Sequence, residues 1–123
     1  MFRLKRKYEF HAARKLIALR DNHPCGELHG HTFTVTIKVS GNQLTDEGWI
    51  MDFYDIDNLF KEKVYKTLDH KYLNDIEGLS NPTTEHVAIW IWNKLDNDLS
   101  GLSSVSVSEG NSYGCKYYGD KNA

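Results

Sequence analysis

The chain has 123 residues, 40% hydrophobic and 26% charged, and its fifteen Lys and Arg against seventeen Asp and Glu leave a formal net charge of -2. That length is one domain, residues 1–123, with room for one hydrophobic core and no second fold, and the near-balanced charge makes nucleic acid a poor partner. No apolar run has the length of a signal peptide or a bilayer span, so no membrane contact and a cytoplasmic location are expected. The two cysteines, Cys25 and Cys115, form no disulfide framework and read as free thiols.

The basic run "RLKRK" at residues 3–7 reads as a solvated strand edge, where lysine discourages unwanted pairing. In "YEFHAAR", residues 8–14, Tyr8, Phe10 and Ala12 alternate; in "HTFTVTIKVSG", residues 31–41, Phe33, Val35, Ile37 and Val39 share one face, so both segments predict strands. From Asp52 the period lengthens: Ile56, Leu59, Phe60, Val64 and Leu68 form one helical stripe, with Asp52 or Asp55 as cap. A second helix opens at "NPTTEHVAIWIWNKL", where Thr83 or Thr84 caps and Val87, Trp90, Ile91 and Leu95 supply the buried face. Alternation returns in "SVSVSEG", with Val105, Val107 and Glu109 on one side, and "CKYYGD" offers a last short strand. The order β-β-α-α-β-β predicts an α+β layer fold, a four-stranded antiparallel sheet with two helices on one face. Two open sheet edges invite assembly.

Three of the six histidines fall within "HPCGELHGH", residues 23–31. His29 and His31 lie two apart at a strand start, so the pleat sends both imidazoles to one side. There they either face solvent or grip one ion, and a catalytic zinc usually takes three protein ligands. Cys25 is either a small buried apolar residue or a thiol whose pKa a neighbouring cation lowers. Asp69 can orient His70 where a turn brings the two together, although a helix-end acid and histidine are also ordinary in solvent. Glu109 ends an apolar stripe, and a half-buried carboxylate needs a partner: a planar N–H donor pair on a ligand, an arginine, or water at the strand end. Glu85, in the first turn of the second helix, sits where acids are commonplace.

Taken together, "FHAARKL", "HPCGELHGHTF", "GWIMDFYDI", "LDHKYLNDIEGLSNPTTE", "IWIW" and the stretch from "SVSVSEG" to "CKYYGD" resemble the 6-pyruvoyl-tetrahydropterin synthase family, most of all its bacterial queuosine-pathway branch. The resemblance implies a tunnelling fold (T-fold), in which trimers close their sheets into a barrel and two trimers stack as a homohexamer with active sites between subunits. It implies a lyase acting on a pterin, 7,8-dihydroneopterin triphosphate, with Zn2+ as Lewis acid and template. In that reading Cys25 is the catalytic base and His70 with Asp69 a proton relay from a neighbouring subunit. Glu109 anchors the guanidine-like edge of the pterin, Thr83, Thr84 and Glu85 line its pocket, and His29 and His31 hold the metal. One position departs from the pattern. Arg14 stands where the family's third zinc-binding histidine is expected, and a guanidinium cannot coordinate zinc. His11, turned by a bulge at Ala12 or Ala13, or Cys25 would have to replace that ligand, or Arg14 would bind phosphate instead.

Overall fold

The structure, a computed structural model, describes residues 1–17, 23 and 26–119, with His29 described by its backbone alone. Four strands, β1 (Phe2–Arg14), β2 (His29–Gly41), β3 (Leu102–Glu109) and β4 (Tyr113–Tyr117), form one antiparallel sheet in sequential order. Between β2 and β3 run α1 (Phe53–Phe60), a π-helical stretch (Lys61–Tyr65), α2 (Lys66–Leu68), a 3-10 turn (Leu73–Asp75) and α3 (Thr84–Leu95). The first three run on in helical geometry without a break, so the two expected helices are both present.

Alternation along the strands decides which face is buried. Phe33, Val35, Ile37 and Val39 of β2 and Val105 and Val107 of β3 meet Ile56, Phe60, Val64 and Leu68 of the first helix and Val87, Ile91 and Leu95 of α3 in one core. The first helical stripe repeats every four residues, which drifts around a 3.6-residue helix. The wider π turn at Lys61–Tyr65 offsets that drift, and Val64 and Leu68 stay fully buried. Asp52 caps α1 by accepting from the Tyr54 N–H at 2.9 Å, and Thr83 caps α3 by accepting from the His86 N–H at 3.1 Å.

β1 is longer than the alternation of residues 8–14 indicates. Its basic start pairs with β2 from Phe2 onward, and Arg6 turns towards the helices, where its Nε donates to Asp57 at 2.8 Å. The Tyr8 hydroxyl donates to the same carboxylate at 2.6 Å, and the Tyr8 ring stacks on Phe60 with centroids 3.9 Å apart. β3 and β4 each start two residues before the predicted stretch.

Replacing the buried Phe60 by Ala removes both that stack and a core anchor. The expected loss is about 3–5 kcal/mol by urea denaturation; a loss of less than about 1 kcal/mol would show that the site collapses around the missing ring.

Candidate functional site

The ends of three strands meet beside the start of α3. Register places Ala12 opposite His31, Arg14 opposite His29, and Phe33 opposite Glu109. Arg14 therefore continues the inward face of Phe10 and Ala12, and Glu109 continues that of Val105 and Val107. The two charged side chains meet under the sheet's end: Arg14 Nη2 donates to Glu109 Oε1, with side chains only 7% and 13% exposed. Arg14 Nη1 donates to the Pro82 carbonyl at 3.0 Å, and the guanidinium lies over the Phe33 ring, 5.2 Å from its centroid. Thr84 Oγ1 donates to Glu109 Oε2, and His31 Nδ1 lies 3.3 Å from Oε1.

These groups border a cleft of about 660 Å³ whose lining includes Arg14, His31, Thr83, Thr84, Glu85 and Glu109. Burial pushes the Glu109 carboxyl up, but the hydrogen bonds from Arg14 and Thr84 and the Arg14 charge outweigh it and hold the group below its ordinary value. Glu109 is thus an anion fixed in a sheltered cleft. Each carboxylate oxygen has two acceptor positions; Oε1 meets Arg14 and, at 3.3 Å, His31 Nδ1, while on Oε2 Thr84 leaves one position for a ligand's N–H donor. Tyr113, opposite Glu109 in the β3–β4 register, also lines this cleft although the sequence reading does not single it out. Strand pairing across "EGNSY" was the signal that locates it.

Asp69 and His70 lie elsewhere. Asp69 ends α2, and His70 takes a left-handed backbone, φ 59°, which supplies the turn their pairing requires. Asp69 Oδ2 lies 2.7 Å from His70 Nδ1, and Oδ1 accepts the His11 backbone N–H at 3.0 Å. Burial pushes the Asp69 carboxyl up, but the His11 N–H and contacts from His70 and Tyr65 bring it below its ordinary value. The following residues lie along β1, with the Ala13 N–H donating to the Lys71 carbonyl at 3.0 Å and a parallel bridge between Ala13 and Tyr72. His11 and His70, ring centroids 6.0 Å apart, line a second cleft of about 600 Å³, to which His31 also contributes.

The structure therefore brings together Arg14, His31, Thr83, Thr84, Glu85 and Glu109, and sets Asp69 and His70 apart from Glu109, with His31 bordering both clefts. Cys25 lies outside the described residues, as does the side chain of His29. One expectation for the metal position is corrected. The β1–β2 register runs from Phe2 to Arg14 without a bulge, so His11 keeps the opposite parity, is exposed, and bonds Thr32 Oγ1 at 3.0 Å rather than facing the Glu109 cleft. Arg14 gives one N–H of each terminal nitrogen to Pro82 and Glu109. Among the described residues no group of three or more His, Cys, Asp or Glu can hold a metal ion. With a guanidinium at the third position, these residues do not fit a three-histidine zinc site.

The fold has counterparts among known proteins. Residues 3–120 match the family described as 6-pyruvoyl tetrahydropterin synthase. The chain belongs to that family. Within it, the chain is 41% identical over 91 residues to a dihydroneopterin monophosphate aldolase of Pyrococcus furiosus, covering 72% of this chain and 75% of that protein. It is 34% identical to a 6-carboxy-5,6,7,8-tetrahydropterin synthase of Synechocystis, covering 96% and 94%. The solved 6-pyruvoyl tetrahydropterin synthase of Caenorhabditis elegans superposes with a TM-score of 0.88 at 26% identity, over 97% of this chain and 96% of that one. The α+β expectation and the family's T-fold hold. No helix among the described residues is long and apolar enough to cross a membrane.

Because the Glu109 carboxyl is held below its ordinary value of 4.5, its contribution to stability is present above that value and is lost as pH falls through the lower folded one. Urea midpoints followed below pH 4.5 should fall in the native protein, and less steeply in Glu109→Gln, whose amide does not titrate there. Equal slopes would place the acid sensitivity at other carboxylates.

Proposed function

We propose that the protein is a carbon–carbon lyase of the 6-carboxytetrahydropterin synthase type. It converts 7,8-dihydroneopterin triphosphate and water to 6-carboxytetrahydropterin, acetaldehyde and triphosphate, a step towards queuosine and other 7-deazaguanines. The observation that carries this reading is the sheltered Glu109 carboxylate, held ionised in the cleft. A pterin presents a flat amidine-like edge with parallel N–H donors, and a carboxylate answers it with two parallel hydrogen bonds. Thr83, Thr84 and Glu85 line the same cleft and would enclose the ring.

Proton movement falls to Cys25 as base and to His70, oriented by Asp69. His70 borders a different cleft from Glu109, which supports the pair's serving the site of a neighbouring copy. That division favours the homohexamer of two stacked trimers, built through the β1 and β4 edges of the sheet. His29 and His31 alone are one ligand short of a three-histidine zinc site, so this reading makes no use of Zn2+. The free Cys115 thiol suits a reducing cytoplasm.

A second reading, aldol cleavage of dihydroneopterin monophosphate, is favoured by the Pyrococcus furiosus relative. Retention of the three-carbon side chain as a pyruvoyl group, and pterin binding without turnover, are the remaining outcomes to separate. Incubation with dihydroneopterin triphosphate should release acetaldehyde. A phosphorylated two-carbon aldehyde released from the monophosphate, leaving a hydroxymethyl pterin, would support the aldolase, and binding without any product would overturn catalysis. Glu109→Gln should weaken pterin binding by on the order of ten- to a hundredfold, because an amide cannot accept on both sides. Cys25→Ala should abolish turnover while leaving affinity nearly intact; surviving turnover would move the base elsewhere.

A further inference from the structure

We propose that Arg14 is the resident cation of the Glu109 cleft, and that the protein binds its heterocyclic ligand there without a divalent metal ion. The choice of ligand rests on the pterin reading above. The claim about the cation does not.

Arg14 is fixed by its surroundings. It is the last residue of β1, inward by pleat parity, and 6% exposed. One terminal nitrogen is bound to Pro82, the other to Glu109, and the guanidinium plane sits over Phe33. Swinging it out would strand the Glu109 carboxylate, a buried charge, beside Thr84 and His31.

A guanidinium also keeps metals away. It is always protonated, has no lone pair to give, and sits opposite His29 in the β1–β2 register, beside the strand that carries His31. A divalent ion entering there meets a positive charge at close range in a sheltered site, where Coulomb repulsion is weakly screened. Glu109, the nearest acid that could draw the ion in, already spends one position of each oxygen on Arg14 and Thr84. Arg14 takes over what a cation would do for the cleft: it keeps Glu109 ionised and offsets the negative field of Glu109 and Glu85.

The test is to purify the native chain in zinc-supplemented buffer, dialyse it, measure bound metal by mass spectrometry, and follow binding of neopterin by its fluorescence with and without EDTA. The native protein should carry only traces of zinc and bind neopterin equally in both buffers. Arg14→His should gain zinc affinity by on the order of a hundredfold, at least the size of an outer-shell effect on metal sites, while Arg14→Lys should stay metal-free. Zinc retained by the native chain in roughly stoichiometric amount, or neopterin binding lost on chelation, would overturn the proposal. So would a folded Arg14→His variant that gains no zinc. If Arg14→His fails to fold, the native metal content and Arg14→Lys still decide. If neopterin binds in neither buffer, the pterin reading fails, whereas the metal measurements continue to judge Arg14.

Discussion

The constraint on which the molecule depends is the unbroken antiparallel register of β1 on β2. A strand sends successive side chains to opposite faces, and one slipped residue would exchange the two sets completely. Thirteen consecutive pairings from Phe2 to Arg14 leave no place for such a slip. They set Phe10, Ala12 and Arg14 towards the helices and Glu9 and His11 away from them. The hydrophobic core pins this choice, because reversing it would expose Phe10 and bury Lys5 and Lys7. Chemistry at the strand's end therefore inherits its direction from packing along the strand's length.

Glu109 shows what that inheritance means for the site. Alone, a carboxylate 13% exposed at the end of an apolar stripe would be neutralised or expelled. Arg14 and Thr84 make its charge tolerable, and each of them is placed by a different element: the end of β1 and the first residue of α3. Thr83, next to it, is occupied in capping the same helix. The helix start, the sheet end and the ion pair are consequently one unit, and disturbing any of them changes the acceptor that the cleft offers to a ligand.

Elements with a clear period were legible in the sequence. Alternation at Phe33 to Val39 and at Val105 to Glu109 marked two strands, the stripe from Ile56 to Leu68 marked the first helix, and Thr83 marked the start of α3. The interactions that escaped are those between charged or polar residues far apart in the chain. Arg6 with Tyr8 and Asp57 extends β1 inward beyond its apolar pattern, and Arg14 with Glu109 joins residues 95 positions apart. Parity foretold that Glu109 needs a partner; which arginine supplies it depends on strand order, which no local pattern carries. The left-handed turn at His70 escaped for a related reason, since only its hydrogen bond to the His11 carbonyl, 2.6 Å, shows why a non-glycine residue takes that backbone.

The same register explains why one copy of the chain holds its ionisable groups in two places. His70 lies beside His11 and is 75% exposed, whereas Glu109 lies beneath the sheet's end with Arg14. Moving His70 towards Glu109 within one chain would require breaking the Ala13 and His70 backbone hydrogen bonds that lay its segment along β1, and the Asp69 contact with the His11 N–H. Those bonds give the imidazole a fixed outward pose and give Asp69 its lowered pKa. An exposed imidazole with a buried acid behind it therefore faces outward from its own chain, away from Glu109.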